Sequence, residues 1–241
     1  MDIAVLFICS LLATIVAWIY LNVQKPRSID QEDKKNDAET PVDTSMNDTD
    51  FRKKLFLAPK KSRLLFLALM LVSLLGISVA LLYIYKSNSL IDNCKIITLL
   101  AILFVAANID ARYRIIPNAL VLFGVVMRVV FWLIELLKSP QAFLVIMKND
   151  LTACLLVVAF FVIGVLLVKG GIGMGDIKLM LVMCLFQGFY GVVSSLFCSL
   201  FVAFIYAIGV LLLRKKSKKD SVAFAPAILI GTIISVLLTG M

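Results

Sequence analysis

The sequence predicts an all-α fold: a polytopic integral membrane protein with about eight transmembrane segments. Of the 241 residues, 62% are hydrophobic and only 16% are charged, whereas a soluble domain is about half apolar and a quarter charged. Several apolar runs approach or exceed the ~18–20 residues that span a bilayer. The runs are continuous and do not alternate with polar residues, so they indicate helices and not the strands of an outer-membrane barrel.

Polar breaks divide the chain into three parts. Residues 1–23 are expected to be a retained membrane anchor, because the apolar run follows Asp2 and lacks the basic region of a secretory signal. Residues 24–62 are polar, with mixed charge, and predict a disordered cytoplasmic linker. Residues 63–241 form the predicted membrane domain. Its seven predicted helices cover residues 64–85, 95–109, 118–137, 151–168, 177–190, 192–213 and 221–239.

Two of these helices, 95–109 and 177–190, are short for a bilayer and each adjoins an aspartate, Asp110 or Asp176. Short helices that end in irregular backbone are expected where a chain lines a polar cavity. The alternative is that the helix ends are misplaced.

Lysine and arginine positions predict the topology. With the linker in the cytoplasm, the cytoplasmic stretches 24–63, 111–117, 169–178 and 214–220 hold ten, two, two and five of these residues. The opposite side holds four: Lys86, Lys95, Lys138 and Lys148. The net charge of +9 is therefore read as a topology signal and not as a nucleic-acid site. The N-terminus is expected outside, and both aspartate motifs are expected on the cytoplasmic side.

The composition also limits the chemistry. The chain has no histidine, which removes the commonest metal ligand and general base and excludes a zinc protease built on HExxH. Its five cysteines form no CxxC pair and are interpreted as small apolar packing residues. We therefore expect no metal and no cofactor.

Few carboxylates remain for catalysis. After residue 60 the acids are Asp92, Asp110, Glu135, Asp150, Asp176 and Asp220. The sequence places Asp92 and Asp150 in or next to outer loops and Asp220 in a basic loop. Glu135 follows Arg128 by seven residues, on the same helical face, and is expected to form an ion pair with it.

Asp110 and Asp176 are left, each at the cytoplasmic end of a helix. Two carboxylates at close range share one proton, so one acts as base toward a water while the other donates to a carbonyl oxygen. This is aspartic-protease chemistry, which needs no histidine or metal. Gly173 and Gly175, just before Asp176, let the backbone bend and let an extended substrate approach closely. Alone, each aspartate could also be a helix-end carboxylate that faces interfacial water.

Two segments together resemble the type IV prepilin peptidase family of GxGD-type intramembrane aspartyl proteases. The first is "DARYRIIPN", with Asp110, Arg114, Ile116, Pro117 and Asn118; the second is "GGIGMGDIKL", with Gly173, Gly175, Asp176, Lys178 and Leu179. A weaker likeness is "AFAPAILIG", residues 223–231, where the family usually has "PFGP" and this chain has alanine for one proline and for the glycine.

The resemblance covers residues 64–241 and implies a function. It implies a bacterial cytoplasmic (inner) membrane enzyme that removes the basic leader of prepilins or pseudopilins at the cytoplasmic face, with Asp110 and Asp176 as the catalytic pair. Gly173, Gly175, Pro117 and Asn118 would shape the site or bind substrate. Lys178 and Arg114 would orient the site or meet lipid headgroups.

The chain has no CxxC-containing insert, and in this it resembles the compact branch of the family, which is associated with tight-adherence (Flp-type) pili. N-methyltransferase activity is therefore doubtful. The residues alone also leave two rivals open: a non-catalytic assembly protein of a pilus or secretion system, and an ion-coupled transporter, whose acids should lie near the bilayer midplane. The sequence does not predict the oligomeric state.

Overall fold

The computed structural model describes residues 2–23, 60–85, 88–167, 173–212 and 224–240. These ranges hold helices and no strand. The helices are α1 Asp2–Val23, α2 Lys60–Ile84, α3 Leu90–Tyr113, α4 Asn118–Lys138, α5 Pro140–Leu167, α6 Met174–Leu212 and α7 Ala225–Thr239. Five of them, α2 to α6, are long and apolar enough to cross a membrane, and α1 and α7 contain shorter apolar stretches. The predicted all-α, polytopic membrane fold is confirmed.

Several predictions fall outside the described residues. They are the linker as far as residue 59, residues 168–172, which include the first three residues of the second motif, and the basic loop 214–220. Helix α2 begins at Lys60, a few residues before the predicted start at 64.

Helix α3 is the centre of the bundle. It packs against α1, α2, α4, α6 and α7, and most of its side chains are buried. The prediction that it is short was wrong, because it runs for 24 residues from Leu90. Its first turn tolerates polar residues because Ser89 Oγ accepts a hydrogen bond from the Asp92 backbone at 3.2 Å and Lys95 forms an ion pair with Asp92 at 2.6 Å.

Buried charges join α3, α4 and α5. The predicted pair is present, with Arg128 Nη1 3.3 Å from Glu135 Oε1. Arg128 Nη2 also donates to Asp150 Oδ2 at 2.5 Å, and Lys95 Nζ lies 2.9 Å from Glu135 Oε1. The placement of Asp150 in or next to a loop was therefore wrong: it is a buried residue inside α5, which begins at Pro140 and not near residue 151. Mutual pairing is what makes such charges tolerable in a membrane.

Helix α6 is interrupted at Gly188, whose φ of 65° is left-handed. The predicted break was at residue 191. Before Gly188, the Cys154 thiol of α5 faces the Leu181 carbonyl. After it, Ser194 hydrogen-bonds to Ser235 of α7 at 2.9 Å. Because Ser199 lies opposite Ile228, the second part of α6 runs antiparallel to α7, back toward the end of the bundle where α7 begins.

Helix α1 packs against α2 and α3. Leu6 and Ala17 are buried in the shared core, and Ser10 Oγ lies 3.1 Å from Ser78 Oγ of α2. The predicted anchor is thus a helix in contact with the domain that was expected to begin at residue 63.

Candidate active site

The first motif is the connection between α3 and α4. Asp110 lies in the last turn of α3, and its carbonyl accepts a hydrogen bond from the Arg114 amide at 2.8 Å. Arg114 ends the helix in the left-handed region, with φ at 57°, a conformation that is uncommon for a residue other than glycine. Pro117 then precedes Asn118 at the start of α4. Proline cannot continue a preceding helix, so this segment stays a turn.

The second motif begins α6. Gly173 precedes the helix, and its carbonyl accepts a hydrogen bond from the Asp176 amide at 3.1 Å. A Cβ on Gly173 would lie 3.1 Å from the Asp176 carboxyl, and a Cβ on Gly175 would lie 3.2 Å from Cβ of Ile116. Neither glycine is in the left-handed region. Their contribution here is space: one leaves room beside the carboxyl group and the other lets the two motifs touch.

The two aspartates meet where α3 ends and α6 begins. They are 66 residues apart in sequence, yet each side chain is close enough for the charge of Asp110 to act on Asp176. Asp110 is buried, with 6% of its surface exposed, whereas Asp176 is partly exposed. A buried carboxyl group beside a more accessible one is an arrangement that can hold a water and exchange protons with it.

The start of α7 completes this end of the bundle. The Ala225 amide donates to Asp110 Oδ2 at 3.0 Å. Amides in the first turn of a helix have no partner within the helix, and the helix N-terminus carries a partial positive charge. Asp110 thus satisfies a donor of α7 while α7 fixes the orientation of its carboxyl group.

Sequence reasoning did not assign Ala225 to the site. The "AFAPAILIG" segment was noticed only as an approximate match, and Ala223 lies outside the described residues. The contact uses the main chain, so alanine at 225 serves as well as the glycine of "PFGP". The sequence signal that could have located the start of α7 was Pro226, because proline is favoured in the first turn of a helix.

A side-chain hydrogen bond also joins the two motifs. Lys178 Nζ donates to Asn118 Oδ1 at 2.7 Å. Of the two interpretations of Lys178, this contact favours orientation of the site. Arg114 is exposed, and its charge acts on Asp110. In the described parts of the chain, no three His, Cys, Asp or Glu residues are grouped as a metal site requires.

Comparison with known proteins points to one family. Residues 97–208 match the type IV leader peptidase family, Peptidase_A24. The chain is similar to prepilin peptidases. The prepilin leader peptidase/N-methyltransferase of Bacillus subtilis (strain 168) is 26% identical over 141 residues, which cover 58% of this chain and 54% of that protein. The chain therefore matches about half the length of this relative. No solved structure matches.

The matched region includes Asp110 and Asp176, and with them both motifs. It ends before α7 and begins after α1 and α2. The contact between α7 and Asp110 is therefore a finding of the structure and lies outside the family match.

Proposed function

We propose that this chain is a membrane-embedded aspartic endopeptidase that removes the basic leader peptide of type IV prepilins or prepilin-like proteins. The observation that carries the proposal is that Asp110 and Asp176, from two helices far apart in sequence, lie at the same end of the bundle, where Gly175 of the second motif packs against Ile116 of the first. The match to type IV leader peptidases supports it, because the matched residues 97–208 include both aspartates.

The chemistry follows from two carboxyl groups that share a proton. The ionised carboxylate accepts a proton from a water molecule as that water attacks the scissile carbonyl carbon. The protonated carboxyl donates to the carbonyl oxygen and later to the leaving amine. Such a pair titrates as a unit. In this reaction α7 holds Asp110 in place through the Ala225 backbone amide, and Gly173 leaves space beside Asp176.

The substrate is proposed to be a single hydrophobic helix with a short basic leader. Cleavage at the junction of leader and helix requires a site at the membrane surface and not at its midplane. Asp110 lies in the last turn of α3 and Asp176 in the first turn of α6, which suits that requirement. The Lys/Arg distribution supports the cytoplasmic face of a bacterial inner membrane.

The buried charges deeper in the bundle argue against an ion-coupled transporter. Arg128, Lys95, Glu135 and Asp150 pair with one another, so their charges are matched within the fold. An assembly protein without catalysis would need no two aspartates at one end of the bundle, one of them held by a helix N-terminus. We therefore place the peptidase ahead of both rivals.

Two finer points belong to the same proposal. We propose that the chain acts on prepilins of the tight-adherence (Flp) type and that it does not methylate the new N-terminus, because the sequence has no CxxC pair. Mass spectrometry of a pilin processed by the purified enzyme with S-adenosylmethionine decides the second point. A gain of one methyl group on the mature N-terminus contradicts it.

The direct test is a pair of isosteric variants. Asp110→Asn and Asp176→Asn should each abolish leader removal from a co-expressed prepilin on immunoblots, with the protein still in the membrane. Asp92→Asn is the matched control, because Asp92 lies in the first turn of α3, at the opposite end of that helix from Asp110, and should process normally. Normal leader removal by Asp110→Asn or by Asp176→Asn rules out these two aspartates as the catalytic pair.

A further inference from the structure

Two thiols on different helices face each other away from the aspartates. Cys9 Sγ of α1 lies 3.4 Å from Cys94 Sγ of α3, and the structure holds both as free thiols. A disulfide has its sulphurs ~2.05 Å apart, so these two need to approach by about 1.3 Å. Both residues also line a cavity of about 400 Å³ between α1, α3 and α4.

Cys9 and Cys94 lie toward the end of the bundle that is opposite the aspartates. Cys94 is close to the start of α3 at Leu90, and Asp110 is in its last turn. Sixteen residues separate them, which is ~24 Å at 1.5 Å per residue. This step rests on the orientation proposed with the function: if Asp110 is at the cytoplasmic face, both thiols lie toward the extracytoplasmic side, where disulfides form and persist.

We propose that Cys9 and Cys94 are a disulfide site that fastens α1 to α3, with the disulfide of an extracytoplasmic thiol oxidase as the oxidant. Cys9 is partly exposed while Cys94 is 9% exposed, so Cys9 attacks first. Its thiolate forms a mixed disulfide and releases one donor thiol. Cys94 then displaces the second donor thiol. Two protein thiols are oxidised, one donor disulfide is reduced, and the two thiol protons end on the donor sulphurs.

A covalent link matters more here than in a soluble core. Lipid tails are as apolar as leucine, so helices in a bilayer associate through packing and interhelical polar contacts, without a hydrophobic driving force. One polar contact between α1 and α2 is the Ser10–Ser78 hydrogen bond at 3.1 Å. The disulfide would hold α1 on the bundle even when the chain between α1 and α2 is cut.

That consequence gives the test. A site for a specific protease is inserted between residues 24 and 59 of the full chain, and free thiols in isolated membranes are blocked with N-ethylmaleimide before cleavage. The cut protein should run as one species on a non-reducing gel and as two fragments after reduction. Cys9→Ala and Cys94→Ala should give two fragments without reductant. Cys154→Ala and Cys198→Ala are matched controls and should stay joined.

Three outcomes overturn the proposal. The first is separation of the unmodified cut chain without reductant. The second is joining only after an added oxidant such as copper phenanthroline, which shows neighbouring thiols that the cell does not oxidise. The third is that Cys9→Ala and Cys94→Ala both stay joined. Because the readout is attachment of α1 and not cleavage of a prepilin, each of these leaves the proposed peptidase function intact.

Discussion

The Lys178 ammonium and the Asn118 side-chain amide are 2.7 Å apart and join the start of α6 to the start of α4. Gly175 lies against Ile116 in the same interface. Asp176 is two residues before Lys178, and Asp110 is one turn and a short connection before Asn118. We expect this hydrogen bond to help fix how the two aspartates stand relative to each other.

The first prediction tests this positioning role. Lys178→Met and Asn118→Leu should each lower kcat about 10- to 100-fold with little change in KM, since a hydrogen bond to a charged group contributes ~1.5–3 kcal/mol. Asn118→Asp keeps the acceptor and should retain most of the activity. The double variant should be no worse than either single one, because both remove the same contact. Initial rates on a prepilin substrate give both constants; losses that multiply in the double variant, or a change confined to KM, contradict the role.

The sequence predicted this part of the site because its residues carry side-chain chemistry. Asp110 and Asp176 stand out by elimination, and hydropathy puts each at a helix end on one face of the membrane. The contact between Asp110 and Ala225 was not predictable in the same way, because it uses the backbone amide of Ala225, and almost every residue type has such an amide. The roles of the individual site residues stay predictions.

The errors in the helix boundaries have a common physical cause. A hydropathy pattern ends a predicted helix at a charged residue, whether or not an oppositely charged side chain pairs with that residue in the fold. For that reason Lys95 was taken as the first residue of a helix and Asp150 was placed outside one. Both lie inside helices, α3 and α5, in a paired cluster with Glu135 and Arg128. The break in α6 was placed at residue 191, three residues after its position at Gly188.

The second prediction concerns the amide of residue 225. Ala225→Pro removes the N–H that donates to Asp110 Oδ2, and it also places a proline after Phe224, whose αR backbone a following proline disfavours. Activity should fall about 10- to 100-fold, in line with the ~1.5–3 kcal/mol of a hydrogen bond to a charged group. Ala225→Gly keeps the amide and is the matched control, expected near the unmodified rate. Equal rates for the two variants, with similar amounts of folded protein, would remove α7 from the site.

The third prediction concerns the packing of α7 on α6. A Cβ on Gly231 would lie 2.3 Å from the Ser199 backbone nitrogen, whereas a Cβ on Gly76 would meet nothing within 4 Å. Gly231→Ala should therefore destabilise the fold by about 1–3 kcal/mol or more, as overpacking does, and Gly76→Ala should not. Thermal unfolding of the two variants in detergent compares them. A Gly231→Ala protein as stable as Gly76→Ala would show that the two helices are not so closely packed.

The fourth prediction concerns the buried charges. Arg128→Met leaves Asp150 without its arginine partner, and removal of one member of a buried pair typically costs about 3–5 kcal/mol. We expect little folded protein. In the double variant with Asp150→Leu, Glu135 keeps Lys95 at 2.9 Å, so much of the loss should return. Yields of monodisperse protein and melting temperatures measure both, and a double variant less stable than Arg128→Met contradicts this account.

The last prediction is the membrane orientation, on which the placement of the active site depends. In a background that lacks the five native cysteines, a cysteine at Ser45, between α1 and α2, should be inaccessible to a membrane-impermeant maleimide in intact cells. A cysteine at Ser139, the exposed residue between α4 and α5, should be labelled. The reason is the excess of Lys and Arg on the side of residue 45. Permeabilised cells serve as the control and should label both positions. Labelling of Ser45→Cys but not of Ser139→Cys in intact cells would invert the topology and move Asp110 and Asp176 to the outer face, where the basic leader of a prepilin is not found.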